Sequence, residues 1–212
     1  MSMMGMLGKV AMGILVAKGV GKIMGGNTSR SGGLLDGLGG LLGGGASDSG
    51  VNGGLGGLLG SLAGSQQTAQ YKDESKDFAS MFNDAIQGKD PEPTAEHNEQ
   101  AEILLNAMVS AAKADGSIDA GEQKKILEQL NDVSEEEADL VRKAVQAPLD
   151  LQGLIDSVPS GMEQQVYLIS LLAINLDSTA EAAYLDKLAQ GLKLSNEISN
   201  QIHDKLGAPR LY

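Results

Sequence analysis

Glycine is distributed so unevenly along this chain that it limits where a packed core can form. Of 29 glycines, 22 fall in residues 1–64 and seven in the remaining 148. In water each glycine costs a helix roughly 1 kcal/mol against alanine. A regular helical core is therefore expected in the glycine-poor part, with residues 1–64 as a glycine-rich apolar leader. Charge divides at the same place. Lys9, Lys18, Lys22 and Arg30 against Asp36 and Asp48 give the leader a net +2, so residues 65–212 carry −14 of the total −12. An acidic surface of that size repels phosphate backbones, and nucleic acid is not an expected partner.

The leader offers two readings. Its longest uncharged run between lysines, Val10–Ala17, has eight residues, far short of the roughly 20 needed to span a bilayer. It also lacks the basic start of a secretory signal, since Lys9 is its first charge. The heptapeptide GLGGLLG occurs twice, at Gly37–Gly43 and Gly54–Gly60. Such small-residue spacing lets helices approach closely in lipid, yet it disfavours a helix in water. Residues 1–64 are thus read as a low-complexity leader that is simply flexible, contacts a membrane or associates with itself. Residues 65–94 are read as a linker. Phe78, Met81, Phe82 and Ile86 mark a short amphipathic helix over Lys72–Gln87, and Pro91 and Pro93 end it.

From residue 95 to 212 the apolar spacing is helical throughout. Leu104, Ala107, Met108 and Ala111 share one face, as do Ala138, Val141 and Val145, then Leu185, Leu188 and Leu192. Ile126, Leu130 and Val133 mark a second helix, Leu151–Val158 a short one, and Ile198, Ile202 and Leu206 the last. Val166–Ile174 is apolar almost all round and should run through the core. Ser134–Glu137, Ser160–Glu163 and Ser178–Glu181 have capping-box spacing, and Asp119–Glu122 has it with aspartate as the cap. The expected fold is all-α, a compact bundle of about seven helices in residues 95–212.

Chemistry is sparse. The chain has no cysteine, which excludes disulfides, thiolate metal sites and cysteine nucleophiles and fits a reducing compartment. His97 and His203 belong to no ligand motif and are expected at the surface near helix ends. No pair of groups stands out for acid–base work, so an enzyme is not expected; a metal-dependent hydrolase is the least favoured alternative.

One segment has the donors for a cation. In Ala114–Glu122, Asp115 and Gly116 match positions 5 and 6 of a calcium loop, with Asp119 at 9 and Glu122 at 12. Ala111 and Lys113 stand where two further oxygen ligands belong, so this is not an EF-hand. Ordinary capping accounts for Gly116, Asp119 and Glu122 and leaves Asp115 over. Helix, acidic turn and capped helix recur at Asp177 and Glu181. Asp115, Asp119, Glu122, Asp177 and Glu181 are therefore the candidate metal-site residues, for a divalent cation shared between two turns.

Ala111–Glu122 (AAKADGSIDAGE), with LLNAM before it and KKIL after it, resembles the tellurite-resistance TerB-like helical domain. With Pro148–Leu151, Val166–Ile174 and Ala183–Ala189 added, the chain resembles the bacterial YebE-type proteins labelled inner-membrane proteins, over about residues 98–206. The resemblance implies a helical domain without enzymatic activity, metal binding at Asp115, Asp119 and Glu122, and an inner-membrane location with the domain in the cytoplasm. The second turn, Leu176-Asp177-Ser178, lacks the Asp-Gly pattern. The expected function is a membrane-associated accessory protein whose acidic domain binds a partner or a cation. The alternative is a soluble, cytoplasmic cation-binding or stress-response module with a disordered leader.

Overall fold

A computed structural model describes residues 3–18, 81, 82, 84, 85, 92–116, 118, 124, 135–174 and 176–212, with side chains of the first helix described through Ile14. Among the described residues there are seven helices and no strand. They are α1 (Met3–Lys18), α2 (Ala95–Ala112), α3 (Glu135–Gln146), α4 (Leu151–Ser157), α5 (Glu163–Leu172), α6 (Thr179–Gly191) and α7 (Asn196–Leu206). The GLGGLLG repeat, the caps at Ser134 and Asp119 and the helix marked by Ile126, Leu130 and Val133 lie outside the described residues. Of the linker helix, Met81, Phe82, Asp84 and Ala85 are described, and all four are helical.

The bundle is built around α2 and α5, which pack on each other. Every residue of α5 from Gln165 to Leu172 is buried, as expected for a helix apolar all round. α6 and α7 lie against α5, α4 bridges α2 and α6, and α3 lies against α2. Val141 and Val145 are the buried stripe of α3, and Leu185 and Leu188 that of α6. Each fully buried Leu, Val or Ile contributes about 1.5–3 kcal/mol.

The N-terminal helix packs into this same core. Met4, Met6, Leu7, Val10, Ala11 and Ile14 of α1 are at most 1% exposed and join one hydrophobic cluster with Leu104 of α2 and Leu168 of α5. The Asn98 side chain on α2 accepts the Met3 backbone N–H at 3.1 Å, so α2 satisfies one of the orphan amides at the start of α1. Gly8 explains one glycine of this helix. A Cβ there would lie 2.8 Å from the Ala85 backbone carbon, so only glycine lets the 81–85 segment approach so closely. Lost helix propensity at Gly8 is offset by that contact, with Phe82 and Ala85 buried beside it. The described part of the leader is therefore a core helix.

Helix ends follow local chemistry, with one departure from expectation. Ser178 Oγ accepts the Glu181 N–H and the Glu181 carboxylate accepts the Ser178 N–H, completing the expected box at α6. Thr94 caps α2 with His97 as its reciprocal partner, Asp150 caps α4 and Ser195 caps α7. Ser160 does not cap α5. Pro159–Gly161 forms a turn with Gly161 at φ +102°, and α5 starts after Met162, with no side-chain cap. The Glu163 carboxylate instead accepts the Gly161 N–H at 2.8 Å.

At the other ends, α6 and α7 both close in Schellman motifs. Leu194 N–H reaches Ala189 O across Lys193 at φ +56°, and Ala208 N–H reaches His203 O across Gly207 at φ +65°.

Candidate functional site

The turn that follows α2 is wound by successive short bonds, Lys113 N–H to Ser110 O, Ala114 N–H to Ala111 O and Gly116 N–H to Lys113 O. Gly116 sits at φ +140°, where a side chain would be strained although space is open around it. Ile118 is 4% exposed and anchors the turn in the core. Asp115 is exposed at its tip. Asp119 and Glu122 lie outside the described residues.

Lys113 has a clear structural role. Its side chain is only 7% exposed. Nζ donates to Ala144 O at 2.5 Å and to Ala147 O at 2.7 Å. Those carbonyls belong to the C-terminal end of α3, where the helix dipole favours a cation. Burial lowers the Lys113 pKa. The residue at the missing-ligand position of the calcium-loop pattern thus pins α3 to α2. Sequence spacing had no means of showing that, because its partners lie 31 and 34 residues away.

In the second turn, Leu176 adopts φ +49°, a left-handed conformation that costs a leucine roughly 1–2 kcal/mol. Asp177 is exposed. Glu181 is 2% exposed, and its Oε2 accepts from Asp177 N–H at 3.1 Å, Ser178 N–H at 3.1 Å and Ser178 Oγ–H at 3.0 Å. One carboxylate oxygen is therefore shared by three donors, all from the start of α6. Among the described residues, no group of three or more His, Asp or Glu side chains is placed to hold a metal ion.

The two histidines depart from expectation. Both lie near helix ends, but His97 is 8% exposed and His203 fully buried. His203 belongs to a buried polar cluster where α5 and α7 meet the segment after α7. Its Nε2 lies 2.9 Å from the Tyr167 hydroxyl, and its Nδ1 bonds the Pro209 carbonyl. A carbonyl only accepts, so Nδ1 carries the proton and Nε2 accepts from Tyr167. Burial lowers the His203 pKa, against smaller opposing effects of Pro209 and Asp204. Burial also raises the Tyr167 and Tyr184 hydroxyls, each partly opposed by a neighbouring serine, Ser199 and Ser170. A lone histidine in an otherwise ordinary amphipathic helix carried no sign of this cluster.

The fold and these sites define an all-helical bundle in which Lys113, Glu181, His97 and His203 are tied into helix ends and tertiary bonds, while the buried hydroxyls of Ser170, Tyr184 and Ser199 have no hydrogen-bond partner. The chain belongs to the family described as "Protein of unknown function (DUF533)", which it matches over residues 4–206. That match begins inside α1 and runs to the end of α7, as does the shared core. The chain is also similar to a Yersinia enterocolitica protein described as "Uncharacterized protein in ampR 5'region". The two are 29% identical over 112 residues, 51% of this chain and 81% of that protein. No solved structure matches the chain.

Proposed function

We propose that the protein is a non-enzymatic, TerB-like accessory protein that works by binding, its acidic helical domain engaging a partner protein from the cytoplasmic face of the inner membrane. The observation that carries this reading is how four buried ionisable side chains are used. Lys113 closes α3, Glu181 and His97 complete capping boxes, and His203 bridges Tyr167 and Pro209. Each is committed to the fold, which leaves the strongly acidic surface as the working part. Residues 65–212 carry −14 of the net charge, which favours a basic partner surface.

Membrane contact falls to the GLGGLLG repeat at 37–60, because α1 spends its apolar surface in the core. Among the described residues, no helix is long and apolar enough to cross a membrane. Flotation of the full chain with phosphatidylethanolamine–phosphatidylglycerol vesicles tests this. The full chain should float, and replacement of the six repeat leucines (Leu38, Leu41, Leu42, Leu55, Leu58 and Leu59) by serine should abolish it. A full chain that stays in the aqueous fraction refutes the membrane part.

A second reading, a divalent-cation site at Asp115, Asp119 and Glu122, gains one favourable observation. The Lys113 ammonium is drawn off to α3 and does not supply a competing cation to the turn. Calorimetry with calcium and with zinc should then show heat that Asp115→Asn reduces; no heat at millimolar metal ends this reading. Glu181, buried and with its Oε2 taken by three capping donors, takes no part in it.

A further inference from the structure

Helix α3 is buried on one side only. Ala138, Val141 and Val145 form its inner stripe and are at most 9% exposed. A helix turns by about 100° per residue, which puts Leu140 roughly 100–160° away from each of them. Leu140 is accordingly 44% exposed. A single exposed leucine needs no explanation, but this one belongs to a stripe. Ala144 and Ala147 follow it at i+4 and i+7, and Ala147 is exposed. Just past the end of α3, Leu149 is 43% exposed. Leu140 and Leu149 are two of the three large apolar side chains exposed among the described residues, so this corner of the bundle stands out from an otherwise charged surface. It is also held in place, because Lys113 bonds Ala144 O and Ala147 O from α2.

Charge along α3 runs from acidic to basic. Glu135, Glu136 and Glu137 open the helix, and Arg142 and Lys143 stand in its second half. Arg142 pairs with Asp139 of the same helix at 2.6 Å. Lys143 is exposed and has no ion-pair partner among the described residues. A helix of this polarity complements itself when a second copy lies antiparallel. With a two-fold axis level with Leu140, the two Leu140 positions meet. The helical register then sets position 136 of one copy, a glutamate, beside Lys143 of the other. The same pair recurs across the axis, as an isologous contact requires. A parallel pair would set like charge against like, and a purely basic partner would match one end of the face and repel the other.

We propose that the outer face of α3 is a self-association surface, on which a second copy of this chain seats its own α3 antiparallel, Leu140 on Leu140 and Glu136 beside Lys143. One short helix per copy buries less than the roughly 1,600 Å² of a standard interface, so the dimer is weak and forms at high concentration. The net charge of −12 keeps copies apart at long range. At about 0.15 M salt the Debye length is about 8 Å, which confines that repulsion to near neighbours.

Sedimentation equilibrium of the full chain at about 0.15 M salt, from about 10 μM to about 1 mM, tests the proposal. The full chain should show a monomer–dimer equilibrium. Leu140→Asp spares the core, since the position is exposed, and should weaken the dimer at least about tenfold. Lys143→Glu and Glu136→Lys should each weaken it, because each sets like charges together. An equimolar mixture of those two variants restores both pairs and should associate as the unaltered chain does. Circular dichroism checks that every variant is folded. A full chain that stays monomeric, a dimer indifferent to Leu140→Asp, or a mixture that associates no better than its components overturns the proposal.

Discussion

Helices α1 and α5 are the two most apolar helices described, and both are central to the core. α5 runs between near neighbours in sequence, with α6 following within seven residues. α1 packs on α2, which begins 77 residues after α1 ends. Their surfaces are alike: α5 presents Val166, Leu168, Ile169 and Leu172, and α1 presents Leu7, Val10 and Ile14 with glycines between. The difference teaches that a helix apolar on all sides does not declare what covers it. For α5 the adjacent amphipathic helices supplied the answer. For α1 the nearby sequence is glycine-rich, and a leader was the natural expectation.

The comparison breaks first on truncation of a leucine in each helix. Leu7→Ala and Leu168→Ala both empty fully buried sites and should each lower unfolding free energy by about 2–5 kcal/mol in urea titration. If Leu7→Ala leaves the midpoint unchanged while Leu168→Ala lowers it, α1 is a leader after all. Next in size is Gly8→Ala, which forces a methyl against the Ala85 backbone. It should cost about 1–3 kcal/mol despite improved helix propensity; a gain in thermal midpoint would show that α1 does not approach the 81–85 segment.

Asn98→Ala removes the acceptor that α2 offers to the Met3 N–H. A loss of about 1 kcal/mol is expected, together with faster hydrogen exchange in the first turn of α1. Unchanged exchange there would mean that the helix start is held by something else. The smallest effect belongs to α5. Ser160→Ala should change stability by less than about 0.5 kcal/mol, whereas Ser178→Ala should cost about 1 kcal/mol, because only the second serine caps its helix. Equal losses by calorimetry would restore the box at Ser160.

Much of the fold was legible because its signals are local. The Ser178–Glu181 box closes within one helical turn, and the same arithmetic led to Ser160, where it failed for a backbone reason. Pro159 and Gly161 build a turn that pushes the helix start past the serine. The candidate site was legible only in outline. Gly116 does hold a glycine-favouring conformation and Ile118 is buried as an apolar anchor. The destination of Lys113 was hidden, since a lysine in a turn ordinarily faces water and its partners are backbone carbonyls, which every residue carries. His203 was hidden for a related reason: its bonds to Tyr167 and Pro209 come from different elements and leave no spacing to read.

By itself the amino-acid sequence determined that the described part of residues 95–212 is helical, that α6 starts after Ser178, and that α5 lies inside. Periodicity and capping operate over one to three turns of backbone, so they survive without knowledge of neighbours. Only the tertiary structure decided that α1 belongs to the same core, that Lys113 and both histidines are buried, and that the Pro209 carbonyl meets the His203 ring. Burial and tertiary hydrogen bonds depend on which surface arrives from elsewhere in the chain. A short apolar helix gains as much by packing against protein as against lipid, so its own residues do not choose between them.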